Sequence, residues 1–219
     1  MYNVEEYKVG IVIPAFNEEL TIAQVVNSVK KYGYAIVVND ASTDRTREIA
    51  KDAGAIVIDH KNNKGYDSSL NSGFKMAEEL GCDGVITFDA DGQHSVNILS
   101  QYISHLKKGV DLVLGVRPNT QRFAEWVFKV YTNFFINWSD PLCGMKGYSM
   151  KLYKNKGCFD SYNSIGTELA AYGIINGYKF VEINIPIIER EGAPRFGAII
   201  RSNIVILKAL MNLTLIKNS

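Results

Sequence analysis

Two aspartates one residue apart, Asp89 and Asp91, stand just beyond an apolar run, Val85 to Phe88, that reads as a buried strand. At a strand end, positions i and i+2 point the same way, so both carboxylates can address one cation. Hard oxygen ligands of this kind suit Mg²⁺ or Mn²⁺, and Gln93 extends the set. Such a cation bridges a protein carboxylate to a diphosphate and stabilises the charge gathered by a leaving group. Aspartates are common in surface loops, so the position of the pair after a strand is what gives it weight.

Two more polar clusters occupy the same kind of place. Pro14-Ala-Phe-Asn-Glu18 follows the run Val9 to Ile13, and Asn39-Asp-Ala-Ser-Thr-Asp44 follows Ala35 to Asn39. Asp40 can accept hydrogen bonds from a ribose or a base, or serve as a turn or cap residue; Asn17 and Glu18 are open to the same two readings. In open α/β sheets, ligands bind beyond the carboxyl ends of the strands. Three polar loops after three strands therefore mark one sheet edge as the candidate site.

The elements that must position these loops follow from hydrophobic patterning. Continuous apolar runs at Val9–Ile13, Ala35–Asn39, Ala55–Ile58, Val85–Phe88 and Asp111–Leu114 read as strands covered on both faces. Helix-like stretches near Glu18–Lys31, Thr43–Ala53, Ser68–Leu80 and Ser95–Lys107 alternate with them, the second opening on the cap-type residues Ser42 or Thr43. This order predicts an α/β fold with a mostly parallel sheet flanked by helices. Beyond Gly115 the pattern gives an aromatic helix from about Arg122 to Trp138, a Gly-rich turn at Gly144–Gly147, a helix near Gly166–Asn176 and a strand at Phe180–Ile185. That half is expected to shape the acceptor side. Its aromatic run, Phe123, Trp126, Phe128, Tyr131, Phe134, Phe135 and Trp138, reads as core packing in preference to a lipid groove. At the end, Ile200, Ile204, Leu207, Met211 and Leu215 form a stripe of an amphipathic helix. The stripe is expected to pack on the protein, a partner or a second copy of the chain rather than on a membrane surface.

Composition removes several classes. With 47% apolar and 21% charged residues in a chain of 219, neither a disordered chain nor a disulfide-stapled miniprotein fits. The 24 basic and 23 acidic residues leave a net charge of +1, which argues against nucleic-acid binding by a broad basic surface. Cys82, Cys143 and Cys158 lack CxxC spacing, so a reducing, cytoplasmic setting is expected. The polar start, with Glu5 and Glu6, does not resemble a secretory signal, and Arg201 and Lys208 interrupt the one long apolar stretch. His60, His94 and His105 show no metal spacing; His94 is read as a phosphate-side donor and the others as surface residues.

The ordered series Pro14-Ala-Phe-Asn-Glu18, Asn39-Asp-Ala-Ser-Thr-Asp44, Asn63-Lys-Gly65, Asp89-Ala-Asp-Gly-Gln-His94, Gly115-Val-Arg117, Asp140-Pro-Leu-Cys-Gly144 and Arg190-Glu-Gly192 resembles family 2 inverting glycosyltransferases of the GT-A fold. It is most similar to their dolichyl-phosphate mannosyl- and glucosyltransferase branch, over about residues 8 to 197. The resemblance implies that Pro14, Ala15, Phe16, Asn17, Glu18 and Asp40 hold the nucleoside. Asp89, Ala90, Asp91 and Gln93 would line the metal and diphosphate, with Lys64 adding charge. Arg117 and Arg122 would meet an acceptor phosphate, and a loop carrying Arg190 and Arg195 would close over the diphosphate. Asn39, Ala41 and Pro194-Arg195 depart from residues frequent at those places. The chain also ends at Ser219 without the transmembrane pair of many lipid-linked relatives, so any peripheral attachment would rest on the final helix or a partner.

The expected activity is metal-dependent transfer of a hexose from a nucleotide-diphosphate sugar to polyprenyl phosphate by one GT-A domain spanning residues 1–219. Residues 1–115 would bind the donor, 116–197 the acceptor, and 198–219 would form the final helix. A phosphate monoester, with second pKa near 6, is already largely an oxyanion at neutral pH, whereas a sugar hydroxyl needs a general base. If a base is needed, Asp140 is the first candidate and Glu168 the second. Transfer to a sugar hydroxyl of a growing glycan is the alternative within enzymes. A nucleotidyltransferase would want a basic Gly-rich loop where Pro14–Glu18 stands. A sugar-nucleotide-binding module without turnover would keep Asp40 and the aspartate pair.

Overall fold

A computed structural model of the chain describes residues 7–91, 96–118, 123–161, 163–186, 203–204 and 206–211. Strand β1 (Val9–Ala15) is buried at every position but one, as expected of an apolar strand covered on both faces. The chain then alternates through α1 (Ile22–Val29), β2 (Tyr34–Asn39), α2 (Thr46–Asp52), β3 (Ile56–Asp59), α3 (Tyr66–Glu79) and β4 (Gly84–Thr87). A 3-10 turn at Val96–Ile98 leads into α4 (Leu99–Lys107) and β5 (Leu112–Val116). The remaining elements are α5 (Phe123–Ile136), β6 (Lys146–Ser149), α6 (Met150–Lys156), α7 (Glu168–Ile175) and β7 (Phe180–Asn184).

The strands form one sheet in the order β3-β2-β1-β4-β6-β5-β7. Pairing is parallel from β3 to β4 and between β5 and β7, while β6 runs antiparallel to both β4 and β5. The mostly parallel α/β architecture is therefore as expected, but the Gly-rich turn at Gly144–Gly147 is not. Lys146-Gly-Tyr-Ser149 is a central strand followed at once by a helix, neither of which its short, mixed sequence announces. Because β6 is reversed, its first residue, Lys146, pairs with Thr87 at the carboxyl end of β4. The turn before it is thus delivered to the edge where the polar loops lie.

Alternate residues of β1 feed two cores. Val12 joins Leu70, Phe74 and Ala77 of α3 on one face, and Ile11 and Ile13 meet Val25, Val26 and Leu99 of α1 and α4 on the other. Helix α3 sits very close to the sheet: a Cβ at Gly73 would overlap the Val12 side chain, so glycine sets the approach. Helix α2 is not held by Ser42 or Thr43; the Asp44 carboxylate accepts from the Thr46 amide at 3.0 Å instead.

The aromatic helix departs from the core expectation. Phe128 and Trp138 are buried, but Phe123 is 73% exposed, Trp126 52%, Phe134 81% and Phe135 47%. Spacing explains the split, since positions 123, 126, 130 and 134 share one face of α5, and Val130 is exposed with them. In the helical residues 206–211, Ile206 and Ala209 turn inward, while Leu207 and Met211 of the expected packing stripe, with Ile204 before them, lie exposed. Among the described residues no helix is long and apolar enough to cross a membrane.

Candidate active site

The first two polar loops are knitted to each other. The Asn17 amide donates to Ser42 Oγ at 3.0 Å, the Thr43 amide to Asn17 Oδ1 at 2.9 Å, and the Glu18 amide to Thr46 Oγ1 at 2.7 Å. Asn17 and Ala41 adopt left-handed backbone, with φ of 55° and 60°. Asparagine tolerates that conformation, but alanine there is strained. Phe16 projects from the end of β1 at 43% exposure, beside half-buried Pro14 and buried Ala15.

Asp40, 4% exposed at the end of β2, gathers the next loop. Its carboxylate accepts from the amides of Lys64 and Gly65, both at 2.8 Å, and from His60 Nδ1 at 2.7 Å. His60 is thus a buried partner of Asp40, contrary to its reading as a surface residue. The Lys64 side chain is exposed, and its backbone does the anchoring.

Beyond β4, Asp89 and Asp91 are half-buried on either side of buried Ala90. The Thr87 hydroxyl donates to the Gly144 carbonyl at 2.6 Å and so draws the 140–145 turn against this edge. Gly144 leaves the space that Asp89 fills: a Cβ there would lie 2.8 Å from Oδ1 and 2.9 Å from Cγ of Asp89, and nearer still to Oδ2. Behind the edge lies Lys146, 3% exposed, whose Nζ donates to the Gly166 carbonyl at 3.1 Å and stands 5.7 Å over the Trp138 ring. Burial lowers its pKa, while the charges of Asp140 and Asp89 oppose that shift. Burial, with Asp89 and Asp67 nearby, pushes the Tyr66 phenol well up. Among the described residues no three His, Cys, Asp or Glu side chains form a closed cage. The aspartate pair would therefore hold a cation only together with substrate or water oxygens, an arrangement that suits Mg²⁺ and Mn²⁺.

On the far side of the turn, Arg117 is clasped by Asp140. Nε lies 2.8 Å from Oδ2, Nη2 lies 2.8 Å from Oδ1, and the Arg117 amide donates to Oδ2 at 3.0 Å. Glu125 on α5 adds an oxygen 3.5 Å from Nη2. Burial opposes the charge on Arg117, but the Asp140 contacts outweigh it and raise the guanidinium further above its usual value. Both oxygens of Asp140, the first base candidate, are thus engaged by the guanidinium. Glu168 is also engaged: it accepts from Lys156 Nζ at 2.5 Å and from the Ser161 amide at 2.5 Å. Burial works to raise its pKa, yet Lys156 and Ser161 hold the carboxyl below the usual range, which makes it a poor proton acceptor at neutral pH.

The structure therefore brings Asp89, Gly144, Asp140 and Arg117 together around the reversed strand, with Asp91 two residues beyond Asp89, and knits the 14–18 and 40–44 loops to each other. Gln93, His94, Arg122, Arg190 and Arg195 lie outside the described residues. Tyr66 and Lys146 were not singled out from the sequence. The only signal was a tyrosine and a lysine beside glycines, which a turn explains equally well.

An open, mostly parallel α/β sheet with polar loops and an aspartate pair at the carboxyl ends of its strands is an arrangement that GT-A glycosyltransferases have. The chain belongs to glycosyl transferase family 2, whose model matches residues 10–167. It is similar to an uncharacterised protein of Methanocaldococcus jannaschii, 39% identical over 52% of this chain and 48% of that one. It also resembles the UDP-N-acetylglucosamine–dolichyl-phosphate N-acetylglucosaminyltransferase of Methanococcus voltae, 37% identical over 42% of this chain and 45% of that one. The matches thus span about half the length of these two relatives. A dolichyl-phosphate hexose transferase of Haloferax volcanii is 27% identical over 90% of this chain and 92% of its own. Among solved structures, glucosyl-3-phosphoglycerate synthase of Mycobacterium tuberculosis, crystallised with Mn²⁺, UDP and phosphoglyceric acid, superposes with a TM-score of 0.70. It covers 93% of this chain and 78% of that one at 19% identity, a likeness of fold.

Proposed function

We propose that this chain transfers a hexose from a nucleoside-diphosphate sugar to a polyprenyl phosphate, by in-line displacement that inverts the anomeric centre. The clasp on Arg117 carries the reading. Asp140, at the position where a base would be sought, has both oxygens engaged by the guanidinium, and Glu168 is held ionised by Lys156 and Ser161. An acceptor that arrives as an oxyanion needs no base; it needs an oriented cation. Arg117 supplies one, because its Nε and Nη2 are fixed by Asp140 while Nη1 has no hydrogen-bond partner among the described residues. The relatives named as dolichyl-phosphate transferases support the same acceptor class.

The donor side would use Phe16 and Asp40 for the nucleoside, with Asp89 and Asp91 holding a divalent cation. That cation would neutralise the departing diphosphate. Arg122, Arg190 and Arg195 extend the acceptor and diphosphate cations in this proposal, as Gln93 extends the metal set. The protein's own work is to place the phosphate oxygen in line and to hold its charges preorganised. The exposed face of α5, with Phe123, Trp126 and Phe134, would rest in a membrane interface, bringing Arg117 to lipid-borne phosphate.

Initial rates with a labelled nucleotide hexose separate the acceptor classes. Transfer to a polyprenyl phosphate, with little to a neutral glycan, is expected. Arg117→Ala should raise KM for the phosphate acceptor far more than for the donor. Efficient transfer to a sugar hydroxyl would sink the proposal.

A further inference from the structure

Lys146 opens β6, and Thr87 fixes it at the carboxyl edge of β4. The Thr87 hydroxyl oxygen accepts from the Lys146 amide at 3.0 Å and its hydrogen goes to the Gly144 carbonyl at 2.6 Å, two residues before Asp89 in the chain. The Lys146 side chain turns inward. An ammonium carries three N–H donors and no acceptor. One donates to the Gly166 carbonyl at 3.1 Å, the Trp138 ring lies 5.7 Å away, and the lysine makes no ion pair among the described residues.

The ammonium cannot swing out. Its partner is held, because the Asp67 carboxylate accepts from the amides of Ile165 at 3.0 Å and Gly166 at 2.6 Å. Trp138 is fully buried and Lys146 itself is 3% exposed. A buried ammonium without an ion pair is costly to keep, and its charge reaches further than it would in water. The groups within its reach belong to the site. Burial works against the charge, Asp140 and Asp89 sustain it, and Arg117 opposes it. Asp140 is already spent on Arg117 through two contacts of 2.8 Å. Asp89 is the member of the aspartate pair that packs against Gly144.

We infer that Lys146 is a fixed counter-charge to the aspartate pair, acting through Asp89 so that the site takes a divalent cation together with a nucleoside diphosphate and discriminates against the cation alone. A free dication approaching Asp89 meets the repulsion of a buried charge that cannot move away and that salt screens little. A dication paired with a nucleoside diphosphate arrives with net negative charge, and the same interaction then changes sign. The inference rests on the proposed metal-bearing donor site and adds to it which component binds alone.

Calorimetric titration of the full chain with Mn²⁺ alone and with Mn²⁺–UDP, or Mn²⁺–GDP where UDP does not bind, tests it. The natural chain should bind the metal nucleotide at least about tenfold more tightly than free Mn²⁺. Lys146→Met, similar in length but uncharged, should bind free Mn²⁺ about tenfold more tightly than the natural chain and the metal nucleotide more weakly. Lys146→Arg keeps the charge and should keep the natural preference. A merely structural role for Lys146 would weaken both ligands alike in the Met variant, and that result, or an unchanged affinity for free Mn²⁺, would overturn the inference. Free Mn²⁺ binding to the natural chain as tightly as the metal nucleotide would also overturn it while leaving the metal-dependent transferase reading intact, and this arm decides the matter if Lys146→Met does not fold. If neither free Mn²⁺ nor a metal nucleotide bound, the metal reading and the inference would fall together.

Discussion

Gly144→Ala should leave the protein folded and remove most of its activity. The new methyl would stand 2.8 Å from Asp89 Oδ1 and 2.9 Å from its Cγ, and closer to Oδ2. Ordinary contact requires about 3.5 Å, so the carboxylate must retreat by about 1 Å. Gly144 is not among the glycines with left-handed backbone, so alanine strains nothing locally. The obstructing atoms are the mobile end of one side chain, and moving them costs about 1 kcal/mol of rotamer strain. A misplacement of about 1 Å in a reacting constellation costs about 100-fold in rate, or roughly 2.7 kcal/mol of transition-state stabilisation. Initial rates across an Mn²⁺ titration, paired with thermal melts, separate the two effects. The expected result is kcat/KM down about 100-fold with Tm lowered by no more than about 2–4 °C. Activity within twofold of the natural chain, with the same Mn²⁺ dependence, would show that Asp89 does not act from this position.

Ala41→Gly relieves about 1–2 kcal/mol of left-handed strain against about 0.4–1 kcal/mol of added chain entropy, a net gain of about 0.5–1 kcal/mol. A Tm rise of about 1–4 °C is expected, and a fall would contradict the strain. Burial first, then the charge of Asp160, raises the Asp67 carboxyl from 3.8 to about 6 while it accepts from the Ile165 and Gly166 amides. The folded chain then binds this proton more tightly than the unfolded chain, so its contribution is full below about pH 4 and is lost as pH rises through about 6. Asp67→Asn should flatten that fall in a pH series of melts; parallel curves would refute the shift. Asp140→Asn keeps the shape but removes the charge that fixes Arg117, and should raise acceptor KM about tenfold or more while donor KM changes little. Equal effects on both substrates would argue against the clasp. Phe134→Asp should weaken sedimentation of the full chain with anionic liposomes without changing Tm, whereas undiminished binding would remove α5 from the membrane contact.

What the sequence could say about these features depended on how locally each is caused. The apolar runs of β1, β2 and β4 report burial on two faces, and the order of runs and helices reports the parallel sheet. The aspartate pair is a neighbour effect within three residues, so it can be read directly. Lys146 to Ser149 is different, because its strand state comes from β4 and β5 on either side and not from its own residues. The Asp140 carboxylate owes its role to Arg117, 23 positions earlier. Sequence shows both residues but not that they meet, so the clasp cannot be read from it. His60 misled for the same reason: nothing near it in the chain reveals that Asp40, 20 positions back, is its partner. On α5 the aromatic content suggested a core, and only the register of the helix against its neighbours decides which face is covered.

The reversal of β6 also bears on when the enzyme becomes competent. The units β1-α1-β2-α2-β3 close over short separations, but β4 and β6 join across 59 residues, from Thr87 to Lys146. Contacts so distant in sequence carry a larger loop-closure cost and form late. Gly144 reaches Asp89 only after that closure. A nascent or refolding chain would then hold a finished nucleoside edge before it owns a working catalytic one, and pulse-labelled amide exchange should find β2 protected ahead of β6. Competence would appear in a single late step, with little partial activity before it.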